Sequence, residues 1–280
     1  MKYLKEAYRV ISFDEYLDCP FLEDLDERKR CIVTFDDGWR DNYENAFSIL
    51  KKYALPATVF IPTGYVNTDD WFWQNKLSWQ IKKIIIDPIL LSKIVNGNYK
   101  HIGLQYLKAH INMIKKPEHY LDIIIQRLKK CSQVEIDEII HVIENFTGAI
   151  RYPKKAQVLN ESEIIEMSRG GISFGSHGVS HRILKDLDEY DVDNEMIESR
   201  KYLEKKGFRY VPVIAYPNGN FSRVIQEKAK KQGYRAGVTT IPGKNHEDIN
   251  MFELKRINIH NDISSDVTLF SFLLAFGGKC

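Results

Sequence analysis

The chain has 280 residues, 40 Lys+Arg against 38 Asp+Glu, a net charge of +2 and 44% hydrophobic residues. That balance excludes a global basic field for nucleic acid and an acidic excess that would keep the chain unfolded. A chain of this length buries a sizeable core unaided, and Cys19, Cys31, Cys131 and Cys280 form neither a C-x-x-C pair nor a disulfide scaffold.

At the N-terminus, Lys5, Glu6 and Arg9 stand where an export signal would be apolar. Ser12-Phe13-Asp14-Glu15 has capping-box spacing before a short helix. Residues 31–35, CIVTF, read as a strand covered on both faces. Residues 42–53 read as a helix with Ala46, Ile49, Leu50 and Tyr53 on one face, and 57–61, ATVFI, as the next strand. Residues 68–158 break this rhythm with amphipathic helices and no clear strand, so they read as a helical insertion. Trp71, Phe72, Trp73 and Trp79 are expected to anchor that insertion rather than stack on a ligand. His101, His110, His119 and His141 lack ligand spacing and read as solvated or structural.

A repeated grammar then follows: a helix end with basic residues, a glycine, a strand. Gly171 leads into ISFGS, Gly207 into VPVIAY, and Gly233 into YRAGVTT. Such alternation argues an α/β fold with a parallel sheet and crossover helices. The expected division is one α/β domain from 1–67 and 159–280, with 68–158 inserted. Asp266 caps a terminal helix expected to pack on the core. Its apolar run is ten residues, short of the ~20 that cross a membrane. With no spanning segment and no disulfide pattern, a soluble cytoplasmic protein is expected, or an extracytoplasmic one if a leader was removed. The oligomeric state is not readable from the chain.

Two motifs carry chemistry. Asp36 and Asp37, in Thr34-Phe35-Asp36-Asp37-Gly38, sit at the C-terminal end of an apolar strand, where active sites of parallel α/β folds collect. Adjacent carboxylates repel unless a cation separates their roles, one binding metal while the other stays free as a base. His177 and His181, in Ser176-His177-Gly178-Val179-Ser180-His181, have ligand spacing for one divalent ion. One Asp and two His leave an open position for water, which the remaining Asp can deprotonate. The parts describe a hydrolase.

These motifs resemble the polysaccharide deacetylase family, carbohydrate esterase family four, which shares the chitooligosaccharide deacetylase domain. The first block extends through TFDDGWRDNYENAFSILKKYALPATVFIPTGYV, and IAYPNGNFS is similar to the third motif. The resemblance implies a distorted (β/α) barrel of about seven parallel strands, fewer than the eight of the regular barrel. It implies removal of N-acetyl or O-acetyl groups from a carbohydrate substrate. It makes Asp36 the general base and Asp37, His177 and His181 the metal ligands, for zinc first and cobalt, nickel or manganese as other divalent ions. The metal and a backbone N–H near Asn218 would hold the oxyanion, with Tyr216 and Trp39 near the substrate. Two departures stand out. Ala215 replaces the Arg that orients the base, and Asn218 replaces a Tyr of the third motif. Arg256 is the candidate to stand in for that Arg, and His260 the candidate general acid. Two other readings stay open: an amide or formyl hydrolase on a non-polymeric substrate, and a catalytically weakened carbohydrate-binding protein.

Overall fold

The computed structural model describes residues 1–20, 26–98, 105, 108–109, 117–129, 131, 133–148, 157–205, 207–260, 264 and 266–277. Two compact units emerge, one of Met1–Asp69 with Lys155–Cys280, the other Asp70–Lys154.

The first unit is built on parallel strands. β1 (Arg9–Val10) pairs with β2 (Arg30–Cys31) in a small parallel sheet. The main sheet contains β3 (Thr34–Phe35), β4 (Ala57–Ile61), β5 (Ile172–Ser176), β6 (Tyr210–Ala215), β7 (Ala236–Pro242) and β8 (Leu254–Arg256). Its order is β3-β4-β5-β6-β7-β8, and every pairing is parallel. It curls as a (β/α) half-barrel with six strands among the described residues, against an expected count of about seven. The run 31–35, expected as one strand, serves two sheets: Cys31 pairs with Val10, while Thr34 pairs with Thr58.

The strands at the centre of the sheet read as apolar runs because both faces are covered. Val59, Phe60, Ile61, Ile172 and Phe174 are all buried. The Thr58 and Ser173 hydroxyls satisfy each other across β4 and β5 at 2.7 Å. The helices of this unit are α1 (Lys2–Ala7), α2 (Phe13–Asp18), α3 (Ser48–Tyr53), and, beyond the inserted unit, a set described below. Ser12 caps α2 by accepting from the Glu15 N–H at 3.2 Å, as its spacing predicts.

One helix face differs from expectation. Residues Asn42–Phe47 form a π-helical turn ahead of α3. Its i→i+5 spacing places Asn42 and Phe47 on the buried side and leaves Ile49 46% exposed. A strict 3.6-residue period would have buried Ile49.

In the second unit, α4 (Trp73–Ile86), α5 (Pro88–Asn96), α6 (Pro117–Leu128) and α7 (Gln133–Thr147) surround their own core, which includes Leu77, Ile81, Ile94, Ile124 and Ile143. Trp71 and Phe72 are buried, whereas Trp79 is 42% exposed and meets Trp71 edge to face. His141 is exposed; His101, His110 and the His119 side chain lie outside the described residues.

The first unit resumes with α8 (Glu161–Arg169), α9 (Glu189–Leu203), α10 (Arg223–Lys231) and α11 (Val267–Phe276). Gly171, Gly207 and Gly233 all take positive φ before β5, β6 and β7. Asp266 caps α11 by accepting from the Leu269 N–H. Core packing covers Leu273 and Leu274 of α11, while Val267, Leu269, Phe272 and Phe276 are exposed. Among the described residues no helix is long and apolar enough to cross a membrane. Cys19, Cys31 and Cys131 are free thiols; Cys280 lies outside the described residues.

Candidate active site

In a parallel sheet all C-terminal strand ends share one rim. The Asp36-Asp37 pair follows β3, His177 follows β5, Asn218 follows β6, and Arg256 ends β8. The local backbone there is unusual. Among the described residues only five non-glycines have positive φ, and three of them are Asp37, His181 and Asn218. Holding such conformations costs of order 1–3 kcal/mol each, and active sites are where they gather. Gly38 must be glycine, because a Cβ there would lie 2.6 Å from Ile61 Cγ1.

The two adjacent carboxylates face different partners. Asp37 Oδ1 is 3.4 Å from His177 Nε2 and 3.1 Å from His181 Nε2. The Trp39 indole N–H donates to Asp37 Oδ2 at 3.2 Å. Asp36 instead receives a two-pronged ion pair from Arg256, Nη1 to Oδ1 and Nη2 to Oδ2, both at 2.7 Å. Arg256 Nε donates to the Thr239 carbonyl at 2.8 Å, which fixes the fork. β3 and β8 are opposite edges of the sheet, so this ion pair links its two ends.

Charge follows geometry. Burial disfavours an ionised Asp36, but the hydrogen bonds and charge of Arg256, with His177, outweigh it and hold the carboxyl below its ordinary value. Burial also opposes ionisation of Asp37, yet the two imidazoles hold its carboxyl far below the usual range. Burial works against a charged His177, but Asp37 and Asp36 overcome it and raise its pKa; at His181 burial prevails and lowers it.

The donor set fits a divalent cation. His177 Nδ1 lies 2.7 Å from the Ala215 carbonyl. A carbonyl only accepts, so Nδ1 carries the proton and the Nε2 of a neutral His177 presents its lone pair towards Asp37. A lone pair facing a carboxylate is repulsive unless a cation or a proton lies between them. The ligand atoms of Asp37, His177 and His181 lie within 4.8 Å of one another, and among the described residues no other His, Cys, Asp or Glu joins that cluster. Two imidazoles and a carboxylate suit zinc.

Other residues named from the sequence fall out differently. Trp39, expected beside substrate, holds the second oxygen of Asp37. Tyr216 is not a rim residue. It is 1% exposed, stacks on Phe221 with centroids 5.5 Å apart, and donates its hydroxyl to the Phe252 carbonyl. Strand alternation turns it into the outer apolar cluster, away from the face of Ala215. Asn218 is exposed on the turn after β6. His260 is exposed four positions beyond Arg256 and outside the Asp37 cluster.

The structure also supplies residues that motif reading missed. Glu195 of α9 is buried and accepts from the Val179 and Ser180 N–H groups at 2.6 and 3.0 Å. Ser199, one turn further along α9, shares a hydroxyl contact of 2.7 Å with Ser176. Their signal was two polar residues four apart on the buried face of a helix.

A sequence model of the polysaccharide deacetylases matches residues 24–103 and 128–237. The chain belongs to the polysaccharide deacetylase family. YxkH of Bacillus subtilis (strain 168) is 24% identical over 266 residues, covering 94% of this chain and 64% of that protein. The poly-beta-1,6-N-acetyl-D-glucosamine N-deacetylase of Staphylococcus epidermidis is 26% identical over 184 residues, covering 61% of this chain and 56% of its own length. The chain therefore spans less than two thirds of these curated relatives. Among solved structures, the Streptococcus pyogenes deacetylase PplD in complex with acetate superposes with a TM-score of 0.58 at 21% identity, over 99% of this chain and 83% of that one. IcaB from Ammonifex degensii gives a TM-score of 0.58 at 15% identity, covering 99% and 86%. These two likenesses show a shared fold.

Proposed function

We propose that this chain is a metal-dependent hydrolase that removes an N-acetyl, or O-acetyl, group from a polysaccharide, oligosaccharide or lipid-linked sugar. The observation that carries this reading is the split of the acidic pair, Asp37 turned to two imidazoles and Asp36 turned to Arg256. Membership of the family supports the reaction class, and the Staphylococcus relative named for N-acetylglucosamine supports an N-acetylated sugar.

Asp37, His177 and His181 would hold the ion, zinc first. When bound, a divalent ion supplies Lewis-acid polarisation of an acyl carbonyl and lowers the pKa of a water. Asp36 is kept ionised by Arg256 and takes a proton from the attacking water. Arg256 also fixes the orientation of that carboxylate, so its lone pair is aimed before substrate arrives. Trp39 keeps Asp37 Oδ2 occupied and leaves Oδ1 for the histidine side. The turn at Asn218 would offer a backbone donor to the developing oxyanion. The proton returns to the leaving group from Asp36, with His260, exposed four positions beyond Arg256, as the other candidate donor.

Metal content and acetate release together test this. The wild type should hold about one divalent ion and release acetate from N-acetylglucosamine oligomers. A metal-loaded protein that releases no acetate from any N-acetyl or O-acetyl sugar would refute it, and release of formate alone would favour the formyl-hydrolase reading.

A further inference from the structure

We infer that Glu195 is a positioning residue that sets the His177–His181 loop in ligand geometry before any metal binds. The inference rests on the metal-site reading above and names a residue that the reading does not use.

The loop has no regular secondary structure, so its backbone polar groups need partners from elsewhere. Its carbonyls are taken from the β4 side: Thr63 N–H donates to the Gly178 carbonyl at 3.1 Å and Gly64 N–H to the Val179 carbonyl at 2.8 Å. Its amides are taken from the α9 side. The N–H groups of Val179 and Ser180 converge on one oxygen, Glu195 Oε2, and the Ser180 hydroxyl donates to Oε1. Both oxygens of one buried carboxylate are thus committed to the two residues directly before His181.

Two further features make the fit exacting. Gly178 has φ +78°, and a Cβ there would lie 2.7 Å from Glu195 Oε2. The carboxylate therefore sits where only a glycine loop can approach. Ser176 Oγ, held by Ser199, accepts from the Gly178 N–H at 3.1 Å, so α9 grips the loop at both its start and its centre. His181 itself has φ +59°, a conformation an L-residue holds only when its surroundings impose it. Two N–H donors converging on one buried acceptor supply that constraint, since leaving them unpaired would cost their desolvation.

The experiment uses the full chain in metal-free and zinc-titrated forms, with Glu195→Ala, Glu195→Gln and Ser180→Ala. Zinc affinity is read by competition with a chelating dye, and amide exchange at residues 179 and 180 by mass spectrometry or NMR without metal. Supporting partners behind metal ligands typically change affinity ~10–100-fold, so Glu195→Ala is expected to weaken zinc at least ~10-fold. Its amides at 179 and 180 should exchange faster while the rest of the metal-free protein stays protected. Glu195→Gln keeps an oxygen for the two N–H groups and turns its NH₂ to the Ser180 hydroxyl, so its affinity should stay within about threefold of wild type. A Glu195→Ala protein that is folded and keeps wild-type affinity and exchange would overturn the inference. So would Glu195→Gln weakening zinc as much as Glu195→Ala. Should Glu195→Ala not fold, Ser180→Ala removes only the bond to Oε1; faster exchange at 180 with weaker zinc supports the role, and no change in either overturns it. A wild type that binds no zinc refutes the metal site itself, whereas the exchange comparison still decides whether Glu195 holds the loop.

Discussion

Arg256→Met tests how the proposed base, Asp36, is held. The side chains of Arg256 and Asp36 are 19% and 30% exposed, so the pair is partly shielded from water. It consists of two charge-assisted hydrogen bonds of 2.7 Å each. A hydrogen bond to a charged group contributes about 1.5–3 kcal/mol. Residual solvent access reduces that figure, and Met keeps much of the packing. A loss of about 2–3 kcal/mol of transition-state stabilisation, roughly 30- to 150-fold in kcat/KM, is expected. The pH profile carries a second sign. Arg256 lowers the Asp36 pKa, and the base must be ionised to accept a proton. Without the guanidinium, burial and the neighbouring Asp37 both push that pKa up, so the acid limb of the kcat/KM profile moves to higher pH. The assay is acetate release from a chitooligosaccharide at saturating zinc across the acid range. A variant that keeps kcat/KM within about twofold and leaves the acid limb in place would refute the positioning argument.

Asp36→Asn should keep its metal, since Asp36 is not among the clustered ligand atoms, and lose activity by ~10²–10⁴-fold, the range for a general base; metal analysis beside acetate release checks both halves. His177→Ala/His181→Ala should lose the ion outright, read by elemental analysis after gel filtration. Zinc affinity of the wild type should fall as pH drops, because a ligand imidazole must be neutral and the His177 pKa is raised when no metal is present. Dye competition at two pH values gives the sign, and a pH-independent affinity would contradict imidazole ligation. Ala215→Arg should lower the melting temperature, because position 215 has no exposed surface and shares a cluster with Leu254, one rung from Arg256. In the double variant Ala215→Arg/Arg256→Ala the loss should be smaller than the sum, and strict additivity would show that the two sites do not compete for space.

What the sequence shows plainly is what depends on local rules. Glycine after a basic helix end, a capping serine, and short β-branched runs each act within a few residues, and the strands after Gly171, Gly207 and Gly233 and the Ser12 cap appear where expected. The Asp36-Asp37 and His177/His181 motifs were readable for the same reason, since their donor atoms are set by short spacings after strand ends. Failures came where distant contacts decide. The π turn before α3 shifts one residue and exposes Ile49, because Phe47 and Asn42 are recruited to the interior five positions apart. Tyr216 looked like a rim residue from its place in a motif, but strand alternation turns it into the core. Arg256 and Glu195 lie 220 and 15 or 16 positions from the groups they hold. No spacing rule reaches that far; only the curl of the sheet, which brings its last strand to its first, delivers a guanidinium to Asp36. The fold thereby provides from β8 an Arg contact that Ala215 at the end of β6 lacks, and the site depends on sheet topology as much as on its motifs.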